Sequence, residues 1–305
     1  EAGGIFIQDA DSNSIFLKHS YLSATNTYFG NASYNGYKVN QGGTIVNSFS
    51  GTFKKATTYG PDKVEFTTAE ISKIQTGSYD NPVPYIEVAM SDLVANPAKY
   101  QYLALKVVAN VTKKGSGLYS TTYSLDADTL SLPVNLYSAL AGRSVPAAGT
   151  FYGMSDNYAT GYQFLVLDRY HIQPSAFFNF VDLFNFVDDK NRVDVSALEV
   201  EILDPVIVNF AAKMPAKTNY YIESTSNGQV AAVCLSVASR NNILDIQAGD
   251  SIRGIKGFYL KMAVEDGLYK GSMFRLNEAS NPTIEVVNSG NNVNWREEKV
   301  YNILL

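Results

Sequence analysis

One pattern recurs three times along the chain and limits what it can fold into: a glycine, a short apolar strand, and a second glycine. Gly43-Thr-Ile-Val-Asn-Ser-Phe-Ser-Gly51-Thr-Phe53 aligns with Gly249-Asp-Ser-Ile-Arg-Gly-Ile-Lys-Gly257-Phe-Tyr259, matching Val46 with Ile252, Phe49 with Ile255 and Phe53 with Tyr259. A further copy, Gly142-Arg-Ser-Val-Pro-Ala-Ala-Gly149-Thr-Phe151, is one residue shorter. Glycine within a strand marks a bend, a bulge or a close approach of another backbone. Three such strands in series predict three small modules of one kind.

The flanking segments agree with that reading. Each copy is followed by another strand: Val64-Glu-Phe-Thr-Thr68, Tyr162-Gln-Phe-Leu-Val166 and Met273-Phe-Arg-Leu276. Each is preceded by two strands around a polar turn: Ile5–Asp9 with Ser14–Lys18, Gly117–Tyr119 with Leu132–Leu136, and Tyr220–Ser224 with Gln229–Leu235. With a leading strand added, this order is that of the five-stranded Greek-key barrel known as the OB fold. Leu103–Thr112 and Val206–Ala212 are the leading strands of the second and third units. The first unit shows none, because Glu1 falls just before its second strand. The expectation is that this strand was removed upstream, with the apolar tail Val300–Leu305 as the internal substitute.

The fold class expected is therefore all-β, with three OB-like five-stranded Greek-key barrel modules in tandem. Their bounds are residues 1–80, 81–177, and 178–305, the last beginning with a connector. Twenty-one Tyr and sixteen Phe against one Trp and five Met suit this class, since aromatic side chains fit a pleated surface. Ser91-Asp-Leu-Val-Ala-Asn-Pro97 reads as a short helix with Ser91 as N-cap. The tandem Phe178-Asn-Phe-Val-Asp182 and Phe184-Asn-Phe-Val-Asp188 fits neither helix nor strand, and reads as a connector whose rings wedge between barrels.

Composition excludes several function classes. A single cysteine, Cys234, rules out an intrachain disulfide framework and a cysteine-built zinc site. Its apolar neighbours Val230–Ser236 read as core, not as the electropositive setting of a reactive thiol. The net charge of −5 comes from 24 basic and 29 acidic residues with no basic stripe, which weighs against nucleic acid. No apolar run has the roughly 18 residues of a membrane helix. Glu1–Gly4 has neither the basic start nor the apolar core of a signal peptide, so the expected form is the mature one of an exported protein.

Candidate functional residues are few. Alternation in the first hairpin sets Ile5, Ile7, Ile15 and Leu17 on one face and Phe6, Gln8, Phe16 and Lys18 on the other. OB barrels present bases or sugars to strands two and three, with aromatic stacking and a nearby cation. Phe6, Gln8, Phe16 and Lys18 are thus the candidate ligand-binding residues. The competing reading is that both rings pack under a loop or a neighbouring unit. Asp9, Asp11 and Asn13 have the first spacings of a calcium loop, but Ser14 stands where that loop needs glycine and Ser20 where it needs an acid. A polar strand turn explains them equally. His19 and His171 end strands of different units, and no nucleophile elbow, zinc-binding His-Glu-x-x-His or phosphate loop is present. No catalytic residue and no cofactor is expected.

Gly4-Ile-Phe-Ile-Gln-Asp9, its polar turn and Ser14-Ile-Phe-Leu17 resemble the OB-fold repeat lipoproteins of Bacteroidetes-type cell envelopes. Ser91–Tyr100 leading into Leu103–Val111 resembles their linker and first strand. The resemblance implies an extracytoplasmic, envelope-tethered module with a lipid anchor upstream. The function expected is non-catalytic binding or architecture, through recognition of a glycan or a protein surface. Abundant tyrosine with few lysines suits stacking better than charge neutralisation. The alternative is single-stranded nucleic-acid binding by the OB modules.

Overall fold

A computed structural model of the chain describes residues 4–18, 45–55, 62–71, 73–78, 81–114, 123–136, 140, 144–158, 161–166, 171–187, 195, 197–238, 245–261, 272–276 and 284–293. It is all-β, with a closed five-stranded barrel and further strands. Two compact units form: Glu1–Ala139 with Thr150–Ile172, and Leu140–Gly149 with Gln173–Leu305. No described helix is long and apolar enough to cross a membrane.

Unit 1 begins with β1 (Gly4–Gln8), β2 (Ser14–Lys18), β3 (Val46–Ser48), β4 (Thr52–Lys54) and β5 (Lys63–Glu65), then α1 (Thr68–Ile71) and β6 (Gln75–Thr76). Four of these strands make a sheet in the order β1-β2-β5-β4, while β3 pairs with β6. Leu17, Val64, Phe66, Ile71 and Ile74 form the core, with Ile7, Ile15, Val46 and Phe49 packed against it. Period-two alternation along the hairpin puts Ile7, Ile15 and Leu17 on this side. Helix α1 starts with a reciprocal cap. The Glu70 carboxylate accepts from the Thr67 N–H at 2.7 Å and its hydroxyl at 2.8 Å, while the Glu70 N–H donates to Thr67 Oγ1.

The rest of unit 1 contains β7 (Ile86–Glu87), α2 (Met90–Ala95), β8 (Leu105–Lys113), β9 (Tyr123–Ala127), β10 (Leu130–Asn135), most of β11 (Ala148–Tyr158) and β12 (Gly161–Val166). The order β8-β9-β10-β12-β11 closes on itself through β11–β8. Leu105, Val107, Ala109 and Val111 of β8 are buried at every second position, as expected of a strand with one face in a core. Helix α2 is where the sequence predicts one, but its N-cap is Ala89, with no side-chain cap. Ser91 lies inside the first turn instead. Burial of Met90 and Leu93 holds this helix, consistent with packing outweighing propensity in short helices.

Unit 2 comprises most of β13 (Ile172–Phe177), α3 (Phe180–Val187), β14 (Glu199–Ile202), β15 (Val206–Lys213), β16 (Lys217–Ser226), β17 (Gln229–Ala238), β18 (Ser251–Arg253), β19 (Ile255–Lys261), β20 (Ser272–Leu276) and β21 (Glu285–Asn288). The sheet runs β15-β16-β17-β20-β19-β14. Because β14 leads into β15 across Leu203–Pro205, one interrupted strand bridges both ends of this sheet. The β16–β17 turn places Asn227 and Gly228 at φ 51° and 75°, the conformation a two-residue hairpin turn needs.

The aromatic tandem is helical, contrary to the sequence reading. Asn179 Oδ1 accepts the Asp182 N–H at 2.9 Å, an N-cap interaction, and Phe180, Val181, Leu183 and Phe186 are buried. Its rings pack within unit 2, Phe180 edge-on to Phe274 and Phe186 against Phe177. Three- and four-residue spacing among the bulky residues outweighs the polar interruptions.

The repeated bent strand needs one correction. Parallel pairing joins Leu17 to Val64, Val134 to Phe164 and Leu235 to Phe274. From these landmarks, Gly51 and Gly257 hold the same place, each against the last strand's carbonyl, of Glu65 and Arg275 respectively. The corresponding glycine in the middle copy is Gly153, against Leu165, and not Gly149. The sequence alignment there is four residues out. Gly149 misled it because it is also tightly packed, but against Gln173. Gly43, Gly142, Gly117–Tyr119 and Val300–Leu305 lie outside the described residues.

Candidate binding surfaces

In unit 1, Phe6, Gln8 and Phe16 come together on the side of the hairpin away from the core, and a segment of the same unit covers them. The rings of Phe6 and Phe16 lie 4.7 Å apart, and Tyr102 stacks on Phe6 at 4.8 Å with an interplanar angle of 11°. Gln8 Oε1 accepts the Ala104 N–H at 2.9 Å, and Ser14 Oγ donates to the Gln101 carbonyl. Phe16 is buried, whereas Phe6, Gln8 and Lys18 are half-buried. These rings therefore already have an aromatic partner within the protein. The covering segment is strained at its centre: Tyr102 has φ 62°, uncommon for a side chain of that size. Its N–H donates to the Ser155 carbonyl at 2.8 Å.

A second surface, absent from the sequence reading, is displayed by unit 2. On β15, Val206 and Val208 are buried, and strict alternation would send Phe210 inward too. A register shift between Val208 and Phe210 turns it outward and pairs it with Tyr221. Phe210 is 51% exposed and Tyr221 41%, with ring centroids 6.0 Å apart. A bulge commonly re-aims a side chain in this way. From Tyr221 the row continues through its register partners Cys234, Met273 and Leu260, all half-buried. Beside it runs a more polar row, Ser236, Arg275 and Phe258, with the Arg275 guanidinium 5.9 Å from the Phe258 ring. The face can thus stack on a flat apolar ligand surface and offer it hydrogen-bonding groups alongside. Two exposed aromatics one register apart would signal such a face in sequence, but only with the bulge known in advance.

The other sequence candidates have local roles. Asp9 Oδ1 accepts the N–H groups of Asp11 and Asn13 at 3.0 and 2.7 Å, and its Oδ2 accepts Asn13 Nδ2 at 2.9 Å. These bonds, led by that from the Asn13 side chain, hold its carboxyl below the ordinary value. Both oxygens thus serve the turn. Among the described residues no three His, Cys, Asp or Glu side chains are grouped as metal ligands. Burial raises the Cys234 thiol above its ordinary value, outweighing Lys217 and the bond from Tyr221. His171 is half-buried just before β13, and His19 lies outside the described residues. No family model matches this chain, and no curated protein is significantly similar to it.

Proposed function

We propose that the chain is a series of three OB-like modules serving as a non-catalytic extracytoplasmic binding or architectural protein of the cell envelope. The ligand class is a glycan or a protein surface, taken on the outward face of β15, β16 and β17. The observation that carries this reading is the bulge-presented pair Phe210 and Tyr221. Two exposed aromatics over an apolar row suit the flat face of a sugar ring or an apolar protein patch. The three matching strand circuits support the modular reading, and the resemblance to envelope lipoproteins supports the compartment. A net charge of −5 favours a neutral ligand over a polyanion.

Arg275 over Phe258 favours the second reading, single-stranded nucleic acid, because a cation beside stacking rings is what bases engage. One set of measurements separates the two. Mobility through gels cast with neutral polysaccharides should fall for the wild-type chain and recover in Phe210→Ala and Tyr221→Ala. Labelled oligonucleotides titrated at two salt concentrations should show no binding. Tight, salt-sensitive oligonucleotide binding with unaltered polysaccharide mobility would replace the first reading by the second.

A further inference from the structure

The outward face of unit 2 carries cations that its own carboxylates leave unpaired. Strand alternation and register put Lys217 and Tyr221 of β16, Cys234 and Ser236 of β17, and Arg275 of β20 on this side. Arg275 is exposed and lies beside Ser236 in register, with its guanidinium against the Phe258 ring. Against the burial that raises the Cys234 thiol, the charge of Lys217 lowers it, so this ammonium also acts on the face. Among the described residues neither cation has an ion pair. Lys256 and Lys213, by contrast, lie 3.9 Å from Glu199 and 3.4 Å from Asp245. In a chain with 29 acidic against 24 basic residues, a cation left without a carboxylate beside exposed aromatics marks a place for an anion from outside.

Resting on the reading of this face as a glycan site, we propose that its ligand carries an isolated carboxylate, a single uronic-acid ring in an otherwise neutral chain, and that Arg275 binds it. Tyr221 and Arg275 are two strands and one two-residue step apart, about 12 Å for a strand spacing of about 4.8 Å and a rise of about 3.4 Å per residue. Two side chains of this length span most of that gap. A ring stacked on Tyr221 thus brings an acidic group on the next ring within reach of the guanidinium. The planar fork of arginine matches the two oxygens of a carboxylate. Closely spaced charges are disfavoured, because Glu223 follows Tyr221 on the same side of β16 and Glu199 is the register partner of Phe258. A polyanion would run over these carboxylates, whereas an isolated acid avoids them.

The experiment measures retardation of the full chain in native gels cast with glucuronoxylan or with the arabinogalactan of gum arabic, whose neutral chains bear sparse glucuronic acid. Each polysaccharide is used as it is and after carboxyl reduction, which turns the acid into the neutral hexose. Mobilities are referred to gels without polysaccharide. Wild type should bind the acidic form of one of them about tenfold more tightly than its reduced form, as one charge-assisted pair supplies. Arg275→Gln should bind both forms alike, at the wild-type level for the reduced one, and Phe210→Ala should weaken both. Arg275 is exposed, so its variant keeps the fold, which an unchanged urea midpoint checks. Equal binding of acidic and reduced forms by wild type would overturn the carboxylate and leave the glycan reading standing, whereas no retardation by any preparation would overturn both. A preference that survives in Arg275→Gln would overturn the role of Arg275. Competition by a short oligonucleotide as effective as that by the acidic polysaccharide would show that charge alone is read, and would overturn the uronic acid.

Discussion

The α-carbon of Gly257 stands so close to the carbonyl of Arg275 that a β-carbon would lie 2.2 Å from that oxygen. Gly153 meets the Leu165 carbonyl at the same distance. Neither contact can be relieved by rotating a side chain, because the opposing atom is backbone in a paired strand. Gly257→Ala and Gly153→Ala are therefore expected to destabilise by about 1–3 kcal/mol each, the usual range for overpacking. Gly161→Ala, with nothing within 4 Å, should be neutral or gain up to about 1 kcal/mol through the unfolded chain. Urea unfolding of the three variants checks this; equal losses at all three would show that close approach is not the cause.

Tyr102 yields a prediction in alkali. Its hydroxyl is buried without a hydrogen-bond partner, and burial, reinforced by the Asp156 carboxylate, pushes its pKa up to about 12. The Gln101 side chain and the Asn157 main chain oppose the shift, and burial outweighs them. A phenol raised in the fold is stabilising while protonated, and that advantage is lost as pH climbs from its ordinary value of 10.0 through about 12. Tyr102→Phe keeps the ring on Phe6 and removes the unpaired hydroxyl. It should be neutral or more stable by about 1 kcal/mol at pH 7. It should also lose less stability than wild type between pH 10 and 12 in chemical unfolding. Greater alkali sensitivity in the variant would contradict the assignment.

How far the sequence could be read differs between fold and site. The hairpin faces followed from alternation, because Ile7, Ile15 and Leu17 share one buried side and strand periodicity is strictly two. The strands Leu105–Lys113 and Val206–Lys213 were legible for the same reason. The middle glycine was not: a strand paired on both sides carries two close-approach glycines, and spacing alone cannot say which meets which neighbour. Helix α3 was hidden because Asn179, its cap, looked like part of a polar repeat. The two surfaces were obscured by long-range pairing. Nothing near Phe6 in sequence announces Tyr102, and nothing near Phe210 announces a bulge that only pairing with Tyr221 defines.

The exposed pair on unit 2 should separate stability from binding. Phe210 and Tyr221 face solvent, so replacing both by Ser should move the unfolding free energy by no more than about 0.5 kcal/mol each, as for surface positions generally. The same double variant should lose most polysaccharide retardation, a drop of about tenfold or more if each ring contributes about 1 kcal/mol of stacking. A large stability loss in the double variant would make the rings structural and remove the basis of the proposed face.

Asp182 permits a test of burial against helix polarity. It is the third residue of α3, where the helix N-terminus favours a negative charge. Its carboxyl is nevertheless raised above the ordinary value of 3.8, because burial outweighs the bonds from Ser144 and Asn179, and Asp204 adds repulsion. The sign follows directly. The unfolded chain ionises first, so the stability associated with protonated Asp182 is complete below the ordinary value and is lost as pH rises through the raised one. Asp182→Asn can still accept the bond from Ser144 but never carries the charge. Its urea midpoint should match wild type near about pH 3, below the ordinary carboxylate range, and exceed it increasingly toward neutrality before levelling off. If instead the variant were weaker at neutral pH and the gap closed on acidification, the helix terminus would outweigh burial at this carboxyl.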